Sequence, residues 1–174
     1  MSTSIVNVAD APRHAGSHAP AFAYSMTELA GPAGGRAIGA NLTRVPPGKA
    51  AFPLHHHHAN EEHFFILSGT GVVRIGTAVH AVKAQDYLVH LPGGPGQAHQ
   101  LINTGAEDLV YLAISTRLLP EVVGYPDSAK TGVRTDAAEG SRFLLPDAAR
   151  HTATYWDGED GRRVREIVAA DAPT

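Results

Sequence analysis

The 174-residue sequence contains no cysteine, which excludes disulfides, a thiolate nucleophile and any cysteine-based zinc or iron–sulfur site. Basic charge is not in excess either. Lys and Arg number 14 against 17 Asp and Glu, a formal net charge of -3, which argues against nucleic acid as a partner. No run of about 18 apolar residues provides a membrane-spanning helix. The first 13 residues lack the basic start and apolar centre of a secretory leader. Ser2 does not offer the glycine that myristoylation needs, and Asp171-Ala172-Pro173-Thr174 is no prenylation box. The expectation is a cytoplasmic, soluble protein with no membrane partner.

Hydrophobic residues make up 43% of the chain and charged residues 18%, the balance of a globular domain that buries roughly two-thirds of its unfolded surface around one core. Three stretches differ in texture. Residues 1–35 are rich in Ala, Pro, Gly, Ser and His without sustained periodicity and read as an irregular N-terminal arm, with one helical turn around Met26 to Leu29. Residues 36–117 carry short runs of Val, Ile, Leu, Phe and Thr broken by Pro46-Pro47-Gly48, Gly69-Thr70-Gly71 and Pro92-Gly93-Gly94-Pro95-Gly96. Eight strands are expected there, at 37–45, 51–57, 62–68, 71–75, 78–82, 86–91, 98–103 and 108–116. Such a set suits an all-β jelly roll or barrel, which deals with exposed strand edges by pairing or closing them. Residues 118–174 read as a loop and a C-terminal extension packed on the same domain, with short strands at 142–145 and 152–156.

The chemistry concentrates in Pro53-Leu54-His55-His56-His57-His58-Ala59-Asn60-Glu61-Glu62. Imidazole and carboxylate are the ligands that Fe, Mn, Ni, Zn or Co accept when thiolate is missing. Residues two apart on a strand share a face, so His55 and His57 can converge on one ion while His56 and His58 point away. After a turn near Ala59-Asn60, Glu62 would share an inward face with Phe64 and Ile66, and a distant His99 can supply a third imidazole. The alternative pairing of His56 and His58 with Glu62 stays open at this level, as does a solvated histidine patch. His14, His18, His80, His90 and His151 read as surface or packing residues.

The stretch Gly48 to Gly69, with His55-x-His57-x4-Glu62-x6-Gly69, resembles the first motif of the cupin superfamily, and Pro92 through His99-x3-Asn103 resembles the second. Gln85 stands where the second motif usually opens with glycine, Pro92 to His99 is longer than the usual interval, and one extra residue separates Gly48 from His55. The resemblance implies a double-stranded β-helix barrel that binds one divalent metal ion through His55, His57, Glu62 and His99. More closely, Asn60 to Gly69, Ala98 to Gly105 and Tyr125-Pro126-Asp127-Ser128 resemble a bacterial group of small single-domain cupins. It further implies a homodimer and a small-molecule ligand or substrate.

Two classes of function fit. One is a metalloenzyme, a dioxygenase or a metal-dependent isomerase or lyase acting on a small polar or anionic molecule; the other is a non-catalytic ligand-binding or metal-sensing protein. Glu61, His90 and Tyr111 are candidate acid/base groups, and Gln97 and Gln100 candidates for orienting His99. Arg44 and Arg117 are either partners of an anionic substrate or solubilising charges. The segment Gly124 to Gly132 is either a surface crossing or a lid that brings Asp127 and Lys130 to the barrel mouth.

Overall fold

A computed structural model describes residues 4–135, the backbone of 142–144, and residues 154–171. The described elements are β1 (Arg13–His18), β2 (Phe22–Glu28), β3 (Ile38–Val45), β4 (His56–His57), β5 (Glu62–Ser68), β6 (Thr70–Ile75), β7 (Ala78–Lys83), β8 (Tyr87–His90), β9 (His99–Ile102), β10 (Leu109–Thr116), β11 (Glu121–Tyr125), β12 (Lys130–Arg134), β13 (Arg142–Leu144) and α1 (Arg162–Ala170). Three sheets form, with strand orders β1-β2-β3-β10-β5-β8, β7-β6-β9 and β13-β12-β11-β4. All their ladders are antiparallel.

Alternation along the strands builds the interior. On β5, Phe64 and Ile66 are buried while Phe65 and Leu67 are exposed, so Glu62 enters the barrel on the side of Phe64 and Ile66. Val45, Phe64, Ile66, Leu109 and Tyr111 from the six-stranded sheet meet Val73, Val82 and Leu101 from the three-stranded one in a single cluster. Gly69 makes the turn between β5 and β6 at φ +85°, and a Cβ there would lie 2.5 Å from the Asp108 carbonyl oxygen. Only glycine fits both demands.

Seven of the eight expected barrel strands coincide with β3 and β5 to β10 within a residue at each end. The segment expected at 51–57 is different. Pro53 has no N–H to give a ladder, so only His56 and His57 form a strand, with isolated bridges from Ala50 to Ile102 and from His55 to His99.

The N-terminal stretch also departs from expectation. Residues 13–28 form a hairpin whose second strand pairs with β3, and Met26 to Glu28 lie in β2 rather than in a helical turn. A ready sheet edge at β3 overrides weak local propensity. Gly124 to Gly132, read as a connection, is the heart of a second hairpin, since β11 and β12 pair from Glu121↔Arg134 to Tyr125↔Lys130. In the C-terminal extension β13 falls where a strand is expected. The strand expected at 152–156 does not form over its described part, where Tyr155 to Gly158 make a turn; residues 145 and 152–153 lie outside the described residues, as does His151.

Helix α1 was not anticipated. Its Val164 and Ile167 pack with Phe22, Ala50, Val72 and Ile102 in a second apolar cluster, flanked by Trp156 and Val168. No helix among the described residues is long and apolar enough to cross a membrane.

Candidate metal centre

His55 and His57, two residues apart, turn their rings to the same side of the segment that carries β4. The backbone of His55 exchanges two hydrogen bonds with that of His99, at 3.2 and 2.8 Å, which sets those side chains face to face. Glu62, at the start of β5, places Oε2 3.6 Å from His55 Nε2, 3.5 Å from His57 Nε2 and 2.9 Å from His99 Nε2. Donor atoms of His55, Glu62 and His99 all lie within 4.8 Å of one another; His57 stands slightly wider. The four residues singled out in the sequence are therefore brought together.

His56 and His58 are not. The His56 Nδ1 lies 2.7 Å from the Gly93 carbonyl oxygen, its ring packs edge-on to His58 at 5.0 Å, and it fills the space where a Cβ on Gly124 would project. Neither histidine approaches Glu62.

Each of the three converging imidazoles turns its other nitrogen to an oxygen. His55 Nδ1 donates to the Pro53 carbonyl at 2.8 Å, His99 Nδ1 faces the Gln97 carbonyl at 3.3 Å, and His57 Nδ1 faces Glu121 Oε2 at 3.7 Å. A proton held on Nδ1 by a carbonyl leaves the Nε2 lone pair directed at the site. Glu121 is itself fixed by the side chain of Asn60 and by the N–H groups of His58 and Ala59. Asn60 accepts from the Thr116 hydroxyl and the Leu118 N–H.

The electrostatics follow from this packing. Burial alone would raise the Glu62 carboxyl, but His55, His57 and His99 outweigh it and hold the group well below the ordinary carboxylate range. Burial opposes charge on His57, yet Glu121 and Glu62 push it up to about 9. His99 is pushed down chiefly by burial. Both His57 nitrogens are buried without a hydrogen-bond partner among the described residues, a costly state for a polar ring. Three Nε2 atoms and one carboxylate oxygen suit a divalent Fe, Mn, Co, Ni or Zn ion, and such an ion would satisfy His57 Nε2.

A cavity of about 520 Å³ opens from this cluster to solvent. His57, Glu62, Asn60 and Glu121 line its inner part, Leu118, Leu119 and Val123 are among its apolar lining, and Arg36, Arg117 and Arg134 border it. Arg44 does not reach it. Among the acid/base candidates, Glu61 lies outside the barrel, 2.6 Å from His63, and Tyr111 is buried in the core with its hydroxyl pushed up by desolvation. His90 stacks on His99 with ring centroids 3.9 Å apart, and burial pushes it down to about 3. Gln97 contributes its carbonyl rather than its side chain, and Gln100 turns away to Arg74 and the Phe52 carbonyl. Asp127 and Lys130 do not border the cavity, because Asp127 binds Arg74 through two contacts of 2.7 and 3.0 Å and Lys130 is buried against Glu159. The hairpin serves instead through its backbone, with Val123 paired to His57.

The model of the family described as Cupin domain matches residues 41–115, a span that holds all four converging residues. Residues 41–115 are a cupin domain. Among solved structures, a candidate sugar phosphate isomerase from Acidithiobacillus ferrooxidans is 29% identical, with a TM-score of 0.65 over 70% of this chain and 76% of that one. A sugar phosphate isomerase of the cupin superfamily from Silicibacter pomeroyi, 23% identical, superposes with a TM-score of 0.75 over 86% of this chain and 96% of that one; at that identity it speaks for the fold alone. A predicted oxalate decarboxylase from Thermotoga maritima is 25% identical, with a TM-score of 0.56 over 66% and 99% of the two chains. No curated protein matches the chain. The jelly-roll barrel expected from the strand pattern is thus the double-stranded β-helix of the cupins.

Glu121, Arg36 and Arg134 border this cupin's cavity without having been singled out in the sequence. Their neighbours in the chain carry no motif, and only the pairing of β11 with β4 and β12 brings Glu121 and Arg134 to the histidines.

Proposed function

We propose that this cupin is a divalent-metal-dependent enzyme of the isomerase or lyase type, acting on a small polar, anionic molecule. The observation that carries the reading is the convergence of three imidazole Nε2 atoms on Glu62 Oε2 at the inner end of a solvent-open cavity. A metal bound by His55, His57, Glu62 and His99 would supply Lewis-acid polarisation of a substrate oxygen. The chain's own groups do the rest: Pro53, Gln97 and Glu121 hold the imidazoles in orientation, and Leu118, Leu119 and Val123 border the space above them with apolar surface. The likeness to a candidate sugar phosphate isomerase at 29% identity and to a predicted oxalate decarboxylase at 25% supports isomerase or lyase chemistry on an anion over a dioxygenase.

Elemental analysis of untagged protein, purified without a nickel column, tests the metal. About one divalent ion per chain is expected. Glu62→Ala and His99→Ala lose it, while His56→Ala and His58→Ala keep it; metal-free wild-type protein, or loss in the second pair alone, contradicts the assignment.

A second reading, a binding protein without turnover, draws on one observation. Both carboxylates lining the cavity, Glu62 and Glu121, are already engaged by neighbours, which leaves no unengaged acid/base carboxylate among the described lining residues. NMR of the metal-loaded protein with aldose and ketose phosphates separates the two. Interconversion of isomers supports the enzyme, and ligand broadening without new species supports the binder.

A further inference from the structure

Arg36, Arg117 and Arg134 come from three separate places in the chain: the segment before β3, the end of β10 and the end of β12. The fold nevertheless gathers them at one cavity. Two ladders explain how. Thr116 pairs with Ile38, and the Arg117 N–H donates to the Ala37 carbonyl at 3.0 Å, which lays Arg117 beside the backbone that carries Arg36. Arg134 is the cross-strand partner of Glu121, so the two side chains share the cavity-facing side of the β11–β12 ladder, as do Val123 and Gly132 two residues along. Gly132, opposite Val123, puts no side chain into that space.

Three guanidinium groups around one opening repel each other, and none of them makes an ion pair with a described carboxylate. The two acids that share the cavity do not neutralise them, because Glu62 is turned to the histidines and Glu121 to Asn60, His57 and two backbone N–H groups. Two other arginines show the contrast: Arg74 is locked to Asp127, and Arg163 pairs with Glu166 on α1. An unpaired arginine trio beside an apolar strip and above a metal-type cluster is a receptor for a ligand with a concentrated negative charge at one end.

Resting on the metal-site reading above, we infer that Arg36, Arg117 and Arg134 form the subsite for a phosphomonoester end of the substrate, with the opposite, oxygen-bearing end directed to His55, His57, Glu62 and His99. A phosphomonoester carries roughly −1.5 to −2 charges at neutral pH and three acceptor oxygens, which match several forked guanidinium donors. A monocarboxylate would answer only one of the three charges. A cavity of about 520 Å³ suits a molecule of a few carbons with both ends engaged. The arginines thereby set specificity, and the cluster beneath them sets reactivity.

Calorimetric titration tests the subsite apart from the metal. EDTA-treated protein, shown by circular dichroism to be folded, is titrated with ribose 5-phosphate and with ribose. The phosphorylated sugar is expected to bind and the neutral sugar not to. Arg117→Gln and Arg134→Gln should each weaken binding by about tenfold, Arg44→Gln should leave it unchanged, and affinity should fall as salt rises. Failure of ribose 5-phosphate to bind, or equal affinity in wild type, Arg117→Gln and Arg134→Gln, overturns the inference. Metal content, measured on the same proteins before chelation, reports on the other reading. Arginine variants that keep their metal but lose the phosphate preference support the subsite, whereas protein that never carries metal yet binds phosphate through the arginines refutes only the metal centre.

Discussion

At the scale of single residues, orientation matters as much as identity. His57 reaches Glu62 because β4 and its neighbours present it there, and Glu121 faces its other nitrogen at 3.7 Å. Partners of this kind fix the tautomer and the basicity of a ligating ring. Glu121→Gln should therefore lower metal affinity by about 10–100-fold without abolishing binding, as measured by competition with a chelator of known strength; unchanged affinity would show that Glu121 only ties the backbone of β4. His90 gives a pH signature. Its folded value of about 3 lies below the ordinary 6.5, so the unfolded chain takes up the proton first and stability is lost as pH falls below 6.5 toward 3. Between about pH 7 and about pH 5 the loss from this one group is of the order of 2 kcal/mol. In metal-stripped protein, His90→Phe keeps a ring against His99 and should lose that much less in a urea titration across the same interval; identical losses would contradict it. The four converging residues were legible in the sequence because motif spacing names them; period-two alternation pairs His55 with His57 but by itself leaves His56 with His58 equally open. Glu121 and two of the three arginines were not, since their place depends on which strands meet across the barrel.

Among the elements, those written by local pattern were the most legible. β5 follows inward and outward alternation from Glu62 to Ser68, and Gly69 marks its end. The hairpins β1–β2 and β11–β12 carry less of it, an alternation confined to Phe22, Tyr24 and Met26 on β2, and lean on the sheet edges offered by β3 and β4. Helix α1 had a signal in Val164, Ile167 and Val168, whose spacing of three and four is helical, but it is short and follows a glycine-rich stretch. Gln85 shows the reverse case. It stands where the family's second motif has glycine, and its φ of 77° is one that side chains rarely adopt. Gln85→Gly should raise stability by about 0.5–1 kcal/mol and Gln85→Val should lower it, as read from urea midpoints; a stabilising valine would contradict the strain. The C-terminal segment is tied to β12 through Lys130 and Glu159, 0% and 3% exposed and 2.5 Å apart. Lys130→Ala leaves the buried Glu159 carboxylate with the Ser128 hydroxyl but without its counter-charge and should cost about 3–5 kcal/mol, while Lys130→Met with Glu159→Leu should cost far less. Equal losses in the single and double variants would show that packing, not charge, governs this contact.

For the whole molecule, the cupin barrel explains why distant residues act together: the sheets pack around the cluster of Val45, Phe64, Ile66 and Leu109 and bring four ligand-type side chains together beside one solvent-open cavity. We propose that the chain is a homodimer. Residues 13–28 already pair within their own sheet, so the N-terminal stretch gives no reason for it. The outer face of β5 and β8 offers a better reason, because Phe65, Leu67, Tyr87 and Val89 are 36–59% exposed on adjacent strands. Light scattering at micromolar concentration should give twice the chain mass, and Leu67→Lys with Val89→Lys should halve it; a monomeric wild type would contradict the pairing. The metal centre is tested most directly by anomalous diffraction from crystals of untagged protein, recorded at the absorption edge of whichever metal elemental analysis finds. One peak among the Nε2 atoms of His55, His57 and His99 and the Oε2 of Glu62 is predicted, and no peak there, or a peak on His56 and His58 alone, would contradict it.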